Sequence, residues 1–447
     1  MDQTFMKEKP ILPLVLKMAL PMVISMLVNS LYNIIDSFFV SQFSENAMTA
    51  ISIVYPLQNL ANAVGVGFGI GVNATVAYYL GANNGRAANR SATLGILLSA
   101  LHGIVLAGIC VLCTRPFIFL FTDSEEIATY GIKYFYVVIA FAPVLTLGMM
   151  FEKLLQATGR MKTTMFCMAI GAIANIFLDP LFIFGAGVIP EMGVFGAAFA
   201  TGIGQTLSLI GYIVAFLIAK IPIRLRMEHR GEEKICRKLY LLGIPASLNM
   251  ALPSFMIMFL NMILSAFAEV YVLILGIYYK LQTFLYFTIN GIVQGIRPLV
   301  SYNLGAERND RVIGIFKVTL LLSFIVMVIG TILCLVCPVQ LMGIFTNTPQ
   351  TAEQGAIALR VISAGFIVSA VSVVISGTFE GLGKGLPSLV ISLLRYIAIL
   401  PIAFLMSYLF QAVGVWNSFW VTELISAIVS CVLFWFCFVK KSLNKAK

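Results

Sequence analysis

The sequence predicts an all-α, polytopic membrane protein with twelve transmembrane helices in two pseudo-symmetric six-helix bundles, and three observations carry that expectation. Of the 447 residues, 60% are hydrophobic and only 11% charged, against the roughly 25% charge usual in soluble domains. The apolar residues fall in runs long enough to cross a hydrocarbon core, about 20 residues each. The second half of the chain repeats the first in register.

In order, the spanning runs lie at 11 to 40, 47 to 80, 91 to 113, 127 to 150, 163 to 185 and 194 to 219. A charged connector from Lys220 to Lys238, KIPIRLRMEHRGEEKICRK, then breaks the pattern. Six more runs follow at 239 to 266, 270 to 303, 312 to 337, 356 to 379, 386 to 410 and 415 to 439. The division expected is therefore an N-terminal lobe over 1–219, a cytoplasmic connector over 220–238 and a C-terminal lobe over 239–447. The first run extends well past the 7–15 apolar residues of a signal-peptide core, so it is expected to remain as a membrane helix.

Most of the 29 basic residues sit at the N-terminus (Lys7, Lys9), in the connectors after the even-numbered helices, and in the tail (Lys440, Lys441, Lys445, Lys447). By the positive-inside rule those segments and both termini face the cytoplasm of a cell-membrane protein. Arg115 and Lys133 are exceptions in the connector after the third helix. The net charge of +10 is thus a matter of topology, and no amphipathic basic module speaks for nucleic acid.

An offset of 224 pairs Pro21 with Pro245, Tyr55 with Tyr279, Gln58 with Gln282, and Gly67 and Gly71 with Gly291 and Gly295. It continues through Leu80-Gly81-Ala82 with Leu304-Gly305-Ala306, Cys110 and Cys113 with Cys334 and Cys337, and Gly159 with Gly383. After a small gap an offset of 221 pairs Gly193-Val194 with Gly414-Val415 and Thr201 with Thr422. An even number of helices separates the repeats, so the halves share one orientation about an axis along the membrane normal, with substrate handled between them.

The repeat also demotes the C-x-x-C pairs to an inherited feature of one span. Zinc needs four ligands and neither pair has a neighbouring histidine, so no metal or other cofactor is expected and the eight cysteines read as free thiols. The two histidines, His102 and His229, have no nucleophile or metal constellation around them, which argues against an enzyme. The glycines from Gly65 to Gly71 lack the lysine of a phosphate loop and read as a close helix contact. No nucleotide motif or soluble ATPase segment is present, so transport is expected to draw on an ion gradient.

The candidate chemistry begins in the first span. Asn29, Asn33 and Asp36 fall at i, i+4 and i+7, on one face of a helix. A carboxylate at membrane depth costs roughly 2.5–3.5 kcal/mol on insertion scales, so that face is expected to line a watery cavity or to tether a neighbouring helix. Asn175 and Asp179 repeat the i, i+4 pattern in the fifth span, and Pro180 follows them. Pro21 and Pro180 are the candidate hinges, because a proline removes a helix hydrogen bond and frees a carbonyl. Thr201 and Gln205 lie one turn apart among the small residues of the sixth span.

The acids are unevenly divided. Leu260 stands at the repeat counterpart of Asp36 and Ala403 at that of Asp179, which assigns the ion or proton site to the N-terminal half. In the C-terminal half the intramembrane charges are Lys280, Arg297, Arg395 and Glu423, with Glu380 near a helix end. Lys280 or Arg395 paired with Glu423 reads equally as a structural ion pair or as part of a substrate or gating site.

These segments together resemble a known family. The N-S-L-Y-N-I-I-D of the first span, Y-L-G-A and its echo Y-N-L-G-A, N-I-F-L-D-P, G-A-A-F-A-T and Q-G-I-R-P-L follow the order found in multidrug and toxic compound extrusion (MATE) transporters. The likeness covers nearly the whole chain and is similar to the bacterial branch typified by a staphylococcal exporter of cationic drugs. It implies a V-shaped pair of lobes, alternating access, and export of organic cations and amphipathic drugs in exchange for Na+ or H+, by a protein expected to act as a monomer in the lipid bilayer. It further implies that Asp36, Asn175, Asp179 and Thr201 bind the coupling cation, with Na+ at Asp36 and Asp179 the one metal ion in view, and that Asn29, Tyr32, Asn33, Gln205 and Gln282 line the substrate cavity. No acid lies within the seventh span, where some family members carry one. The alternative is a lipid-linked oligosaccharide flippase of the wider superfamily, whose pyrophosphate would call for a more cationic groove than Lys280, Arg297 and Arg395 supply.

Overall fold

The computed structural model describes residues 3–187, 189–218, 221–226, 234–346 and 348–440. Lys220, His229, Lys441, Lys445 and Lys447, named above for topology or chemistry, lie outside the described residues. Among the described residues the chain is helical throughout, with a single isolated β-bridge between Ala186 and Ile189.

Long apolar helices run over Ile11–Phe43, Glu45–Gly81, Gly85–Ile118, Met161–Ile183, Val194–Ile218, Ile235–Ser265, Glu269–Gly305 and Asn309–Val336. The final stretch, Gly385–Val439, has 55 residues, far more than one crossing of a roughly 30 Å core requires. It breaks at Phe410 and Gln411, whose backbones leave the helical region, and is long enough for two crossings. Side-chain caps start several helices where the sequence changes character: Ser44, Asn84 and Ser124 accept from the backbone N–H groups of Ala47, Ala87 and Ile127, as N-cap residues do.

Two expected spans are broken. In place of continuous helices over 127 to 150 and 356 to 379, the chain forms Glu125–Ala140 with Ala142–Ala157, bent by 46°, and Pro349–Ser363 with Phe366–Gly381, bent by 52°. Pro143 removes a helix hydrogen bond at the first break. At the second, Gly365 has no side chain to oppose the Trp420 backbone, which would lie 3.0 Å from an added Cβ. Apolar periodicity is blind to a one-turn interruption, because the pattern resumes on the far side.

The repeat is also written into the backbone. Asn83 and its counterpart Glu307 both take positive φ, 54° and 57°, as do Gly159 and Gly383 at 78° and 72°. Each residue ends a helix, and the amide that follows bonds back to a carbonyl five residues earlier: Asn84 to Tyr79, Arg308 to Asn303, Arg160 to Leu155 and Lys384 to Phe379. This left-handed C-terminal turn is the usual way to satisfy the last carbonyls of a helix.

By packing, the chain divides into two compact units: Met1–Met6 with Ile24–Ser247, and Lys7–Val23 with Leu248–Lys447. The boundaries fall inside three helices, Phe5–Glu8, Ile11–Phe43 and Ile235–Ser265. The N-terminal half of Ile235–Ser265 packs in the first unit, where Cβ atoms added at Gly67 and Gly71 would lie 2.2 Å from the Ser247 N and 2.8 Å from the Leu239 O. In the second unit the counterparts Gly291 and Gly295 meet Val23 and Ala19 of Ile11–Phe43 at 2.6 Å each. Backbone lies where side chains would be, so the glycines serve helix approach, as their lack of phosphate-loop chemistry led us to expect. Each unit has its own apolar core: one around Val54, Phe135, Ile139 and Val194, the other around Leu260, Tyr278, Ile289 and Trp416.

Candidate functional site

Within the first unit, glycines set the geometry of the site. Gly171 and Gly204 face one another so closely that a Cβ on either would lie 2.4 Å and 2.8 Å from the other's carbonyl oxygen. This draws Met161–Ile183 and Val194–Ile218 together and carries Asn175, one turn beyond Gly171, against Thr201. The Asn175 amide Nδ2 donates to Asp179 Oδ1 at 3.1 Å and to Thr201 Oγ1 at 3.4 Å. Asn175, Asp179 and Thr201 are all buried.

Asp36, from Ile11–Phe43, brings its carboxyl within hydrogen-bonding reach of Asp179. Three oxygens of this group, Asp36 Oδ1, Asp179 Oδ2 and Asn175 Oδ1, are buried and accept no hydrogen bond from the protein. Two facing carboxylates with unfilled lone pairs and no lysine or arginine in the cluster need a proton or a hard cation between them, since an unpaired buried charge is far too costly to leave standing. Oxygen ligands of this kind suit either.

The other first-span candidates are arranged differently. Asn33 Nδ2 donates to Asn29, to its carbonyl at 2.7 Å and its side-chain oxygen at 2.8 Å, and Asn33 is exposed. The Asn33 amide is therefore held along its own helix. Tyr32 is half-buried, and its hydroxyl lies within electrostatic reach of both carboxylates. Gln205 is half-buried one turn beyond Thr201. Pro21 is buried within the continuous helix Ile11–Phe43. Pro180 lies near the end of its helix, and the Phe184 N–H still reaches the Pro180 carbonyl at 3.2 Å.

Sequence reasoning missed Tyr134. It is buried on Glu125–Ala140, within hydrogen-bonding reach of Gln58 and near Asp36, Tyr32 and Asp179. Its signal in the sequence was weak, because one tyrosine among 16 Tyr and 34 Phe in apolar runs gives no spacing to follow.

Gln282 lies in the second unit. It lines a cavity of about 230 Å³ in the second unit together with Tyr279, Tyr286, Arg395, Thr422 and Glu423. Arg395 is the partner of Glu423, at 2.7 Å from Nη2 to Oε1. Lys280 is exposed, and its ammonium stands 5.6 Å from the Phe345 ring centre. The remaining buried charges form two further knots. Arg297 pairs with Glu380 at 2.6 Å, and Asn249 and Ser388 also donate to that carboxylate. Lys153 pairs with Glu152 at 2.9 Å, joined by Gln156, the repeat counterpart of Glu380.

The MatE family model matches residues 21–181 and 245–405. Those segments cover well over half of the chain, and they begin at the two prolines that the repeat pairs. The chain belongs to the MatE family. Its relatives include the multidrug export protein MepA of Staphylococcus aureus strain N315, 25% identical over 96% of this chain and 94% of that one. MepA of Staphylococcus saprophyticus is 23% identical over 93% and 92%. Among solved structures, a multidrug resistance MATE transporter in an outward-facing conformation aligns with a TM-score of 0.92 at 20% identity, covering 98% of each chain. A MATE structure in a bent conformation aligns at 0.93 over 100% of both, also at 20% identity. The MatE fold of twelve crossings in two related halves is thus the fold of this chain, a multi-pass membrane protein.

Proposed function

We propose that this MatE protein is a secondary antiporter that exports amphipathic, mainly cationic compounds in exchange for Na+ or H+, and that Asp36 and Asp179 bind the coupling ion. The observation that carries this reading is the facing pair of carboxyls with Asn175 and Thr201 beside them and three buried oxygens left without donors. Family membership and the MepA relatives support multidrug export as the activity.

The mechanism follows from charge. With the pair ionised, the cavity offers negative charge to an organic cation. Entry of Na+ or H+ from outside neutralises the pair, removes the attraction and makes it unnecessary for that face of the first helix to stay in contact with water. Helix adjustment near Pro21, where a hydrogen bond is already missing, then closes the cavity and releases the drug. Alternating access between the two lobes, 1–219 and 239–447, completes the cycle, with both termini and the 220–238 connector on the cytoplasmic side.

The test is ethidium efflux from vesicles driven by an imposed ion gradient. Asp36→Asn and Asp179→Asn should each lower gradient-driven efflux by at least about tenfold, since each removes a charge that the ion must neutralise. Efflux at the wild-type rate in Asp36→Asn would show that coupling lies elsewhere.

A further inference from the structure

The second unit holds a cavity whose chemistry differs from that of the carboxylate site, although the repeat relates the two. Tyr279, Gln282 and Thr422 line it, and they are the counterparts of Tyr55, Gln58 and Thr201. In place of Asp36 stands Leu260, fully buried in the apolar core. No acid is therefore free at the position that the first unit uses for one.

The charged residues that line this cavity, Arg395 and Glu423, satisfy each other. Arg395 Nε donates to both carboxylate oxygens at 3.1 Å, Nη2 donates to Oε1 at 2.7 Å, and the Ser372 hydroxyl donates to Oε2 at 3.2 Å. At most three donors thus meet a carboxylate with about four acceptor positions, and the guanidinium offsets its charge. Arg395 acts as a tethered cation, and a cationic ligand would find no unmet negative charge to offset its loss of hydration.

What remains unmet is a pair of neutral groups. Tyr279 Oη and Thr422 Oγ1 are buried without any hydrogen-bond partner, and Thr422 is only 2% exposed. Both residues line the cavity, whose other walls include the rings of Tyr286, Tyr396 and Phe419. Two orphaned hydroxyls among aromatic faces fit a flat ring that carries an acceptor. The volume of about 230 Å³, below the roughly 300–1,000 Å³ of drug-sized pockets, suits two fused rings.

We propose that the second-unit cavity is a binding site for uncharged, planar, bicyclic aromatic compounds bearing a carbonyl or similar acceptor, to which Tyr279 and Thr422 donate. The site is independent of the coupling carboxylates and widens the chemistry that the protein can hold beyond cations.

Purified full-length protein titrated with 7-methoxycoumarin, followed by calorimetry and by the probe's fluorescence, tests this. N-methylquinolinium, a flat cation of similar size, is the comparator. The coumarin should bind, and Tyr279→Phe combined with Thr422→Val should weaken it about tenfold or more, as expected for the loss of two modest hydrogen bonds. Those substitutions remove only hydroxyls or replace one with a methyl, and an unchanged melting temperature certifies the fold. Tyr55→Phe, the equivalent change in the first unit, should leave coumarin affinity as it is, which places the site in the second. Three results would overturn it: no coumarin binding to the wild type, equal affinity in the double variant, or quinolinium binding that the double variant abolishes. Loss of coumarin binding in Tyr55→Phe would also overturn it, by moving the site to the first unit.

Discussion

Asp36 illustrates what one residue can and cannot say. Its cost at membrane depth called for a reason, and the resemblance to the family, not the residue itself, pointed to Asp179 as its partner. That partner, Asp179, is 143 positions away along the chain (179 minus 36), and only the Gly171–Gly204 contact and the packing of three helices bring the carboxyls face to face. Arg395 and Glu423 present the opposite case, two charges whose attraction is already satisfied. Arg395→Met should therefore destabilise the protein by up to about 3 kcal/mol, the low end for a buried pair, because it strands a half-buried carboxylate, whereas Arg395→Met with Glu423→Leu should recover most of that loss. Thermal unfolding of the purified variants measures both. Equal melting temperatures for the single variant and the wild type would mean that Glu423 finds water or a proton instead.

At the scale of helices, glycine positions set where elements approach. Gly67→Ala places a Cβ 2.2 Å from the Ser247 backbone nitrogen, so one of the two helices must move. A loss of about 1–3 kcal/mol is expected, typical of overpacking. Gly276, on the long helix Glu269–Gly305, has open space around it. Gly276→Ala should be neutral or stabilise by up to about 1 kcal/mol through helix propensity alone. Melting temperatures of the two variants, moving in opposite directions, check the argument. The broken helices belong to this scale too. Pro143 was visible in the sequence, but whether a proline bends a helix or ends a turn depends on what packs beside it, and at Gly365 the cause is the Trp420 backbone from another element.

For the whole molecule, the proposed orientation places the connector between the halves in the cytoplasm. Cys236 is exposed at the start of Ile235–Ser265. In a variant retaining Cys236 as its sole cysteine, a membrane-impermeant maleimide should label intact cells poorly and permeabilised cells fully; strong labelling of intact cells would reverse the topology. The coupling ion is also a property of the whole transporter. Proteoliposomes with a Na+ gradient and a pH gradient imposed separately should show drug exchange with one or both, abolished in each case by Asp36→Asn. Exchange that survives that substitution under either gradient would sever the link between the carboxylate pair and transport.

Reading the chain alone established that it crosses the membrane many times, that it is built of two related halves, and that Asp36 and Asp179 have no acidic counterparts in the second. Each is a local or periodic property: apolar run length, a constant offset, and the identity of residues at matched positions. Tertiary structure decided which polar groups meet. It supplied the contacts of Asp36 with Asp179 and of Asn175 with Thr201, added Tyr134, chose Arg395 over Lys280 as the partner of Glu423, and put Gln282 in a second-unit cavity. Spacing along one helix specifies which residues share a face. Which face another helix covers depends on distant glycines and on backbone breaks, whose effect exists only once the neighbouring helices are in place.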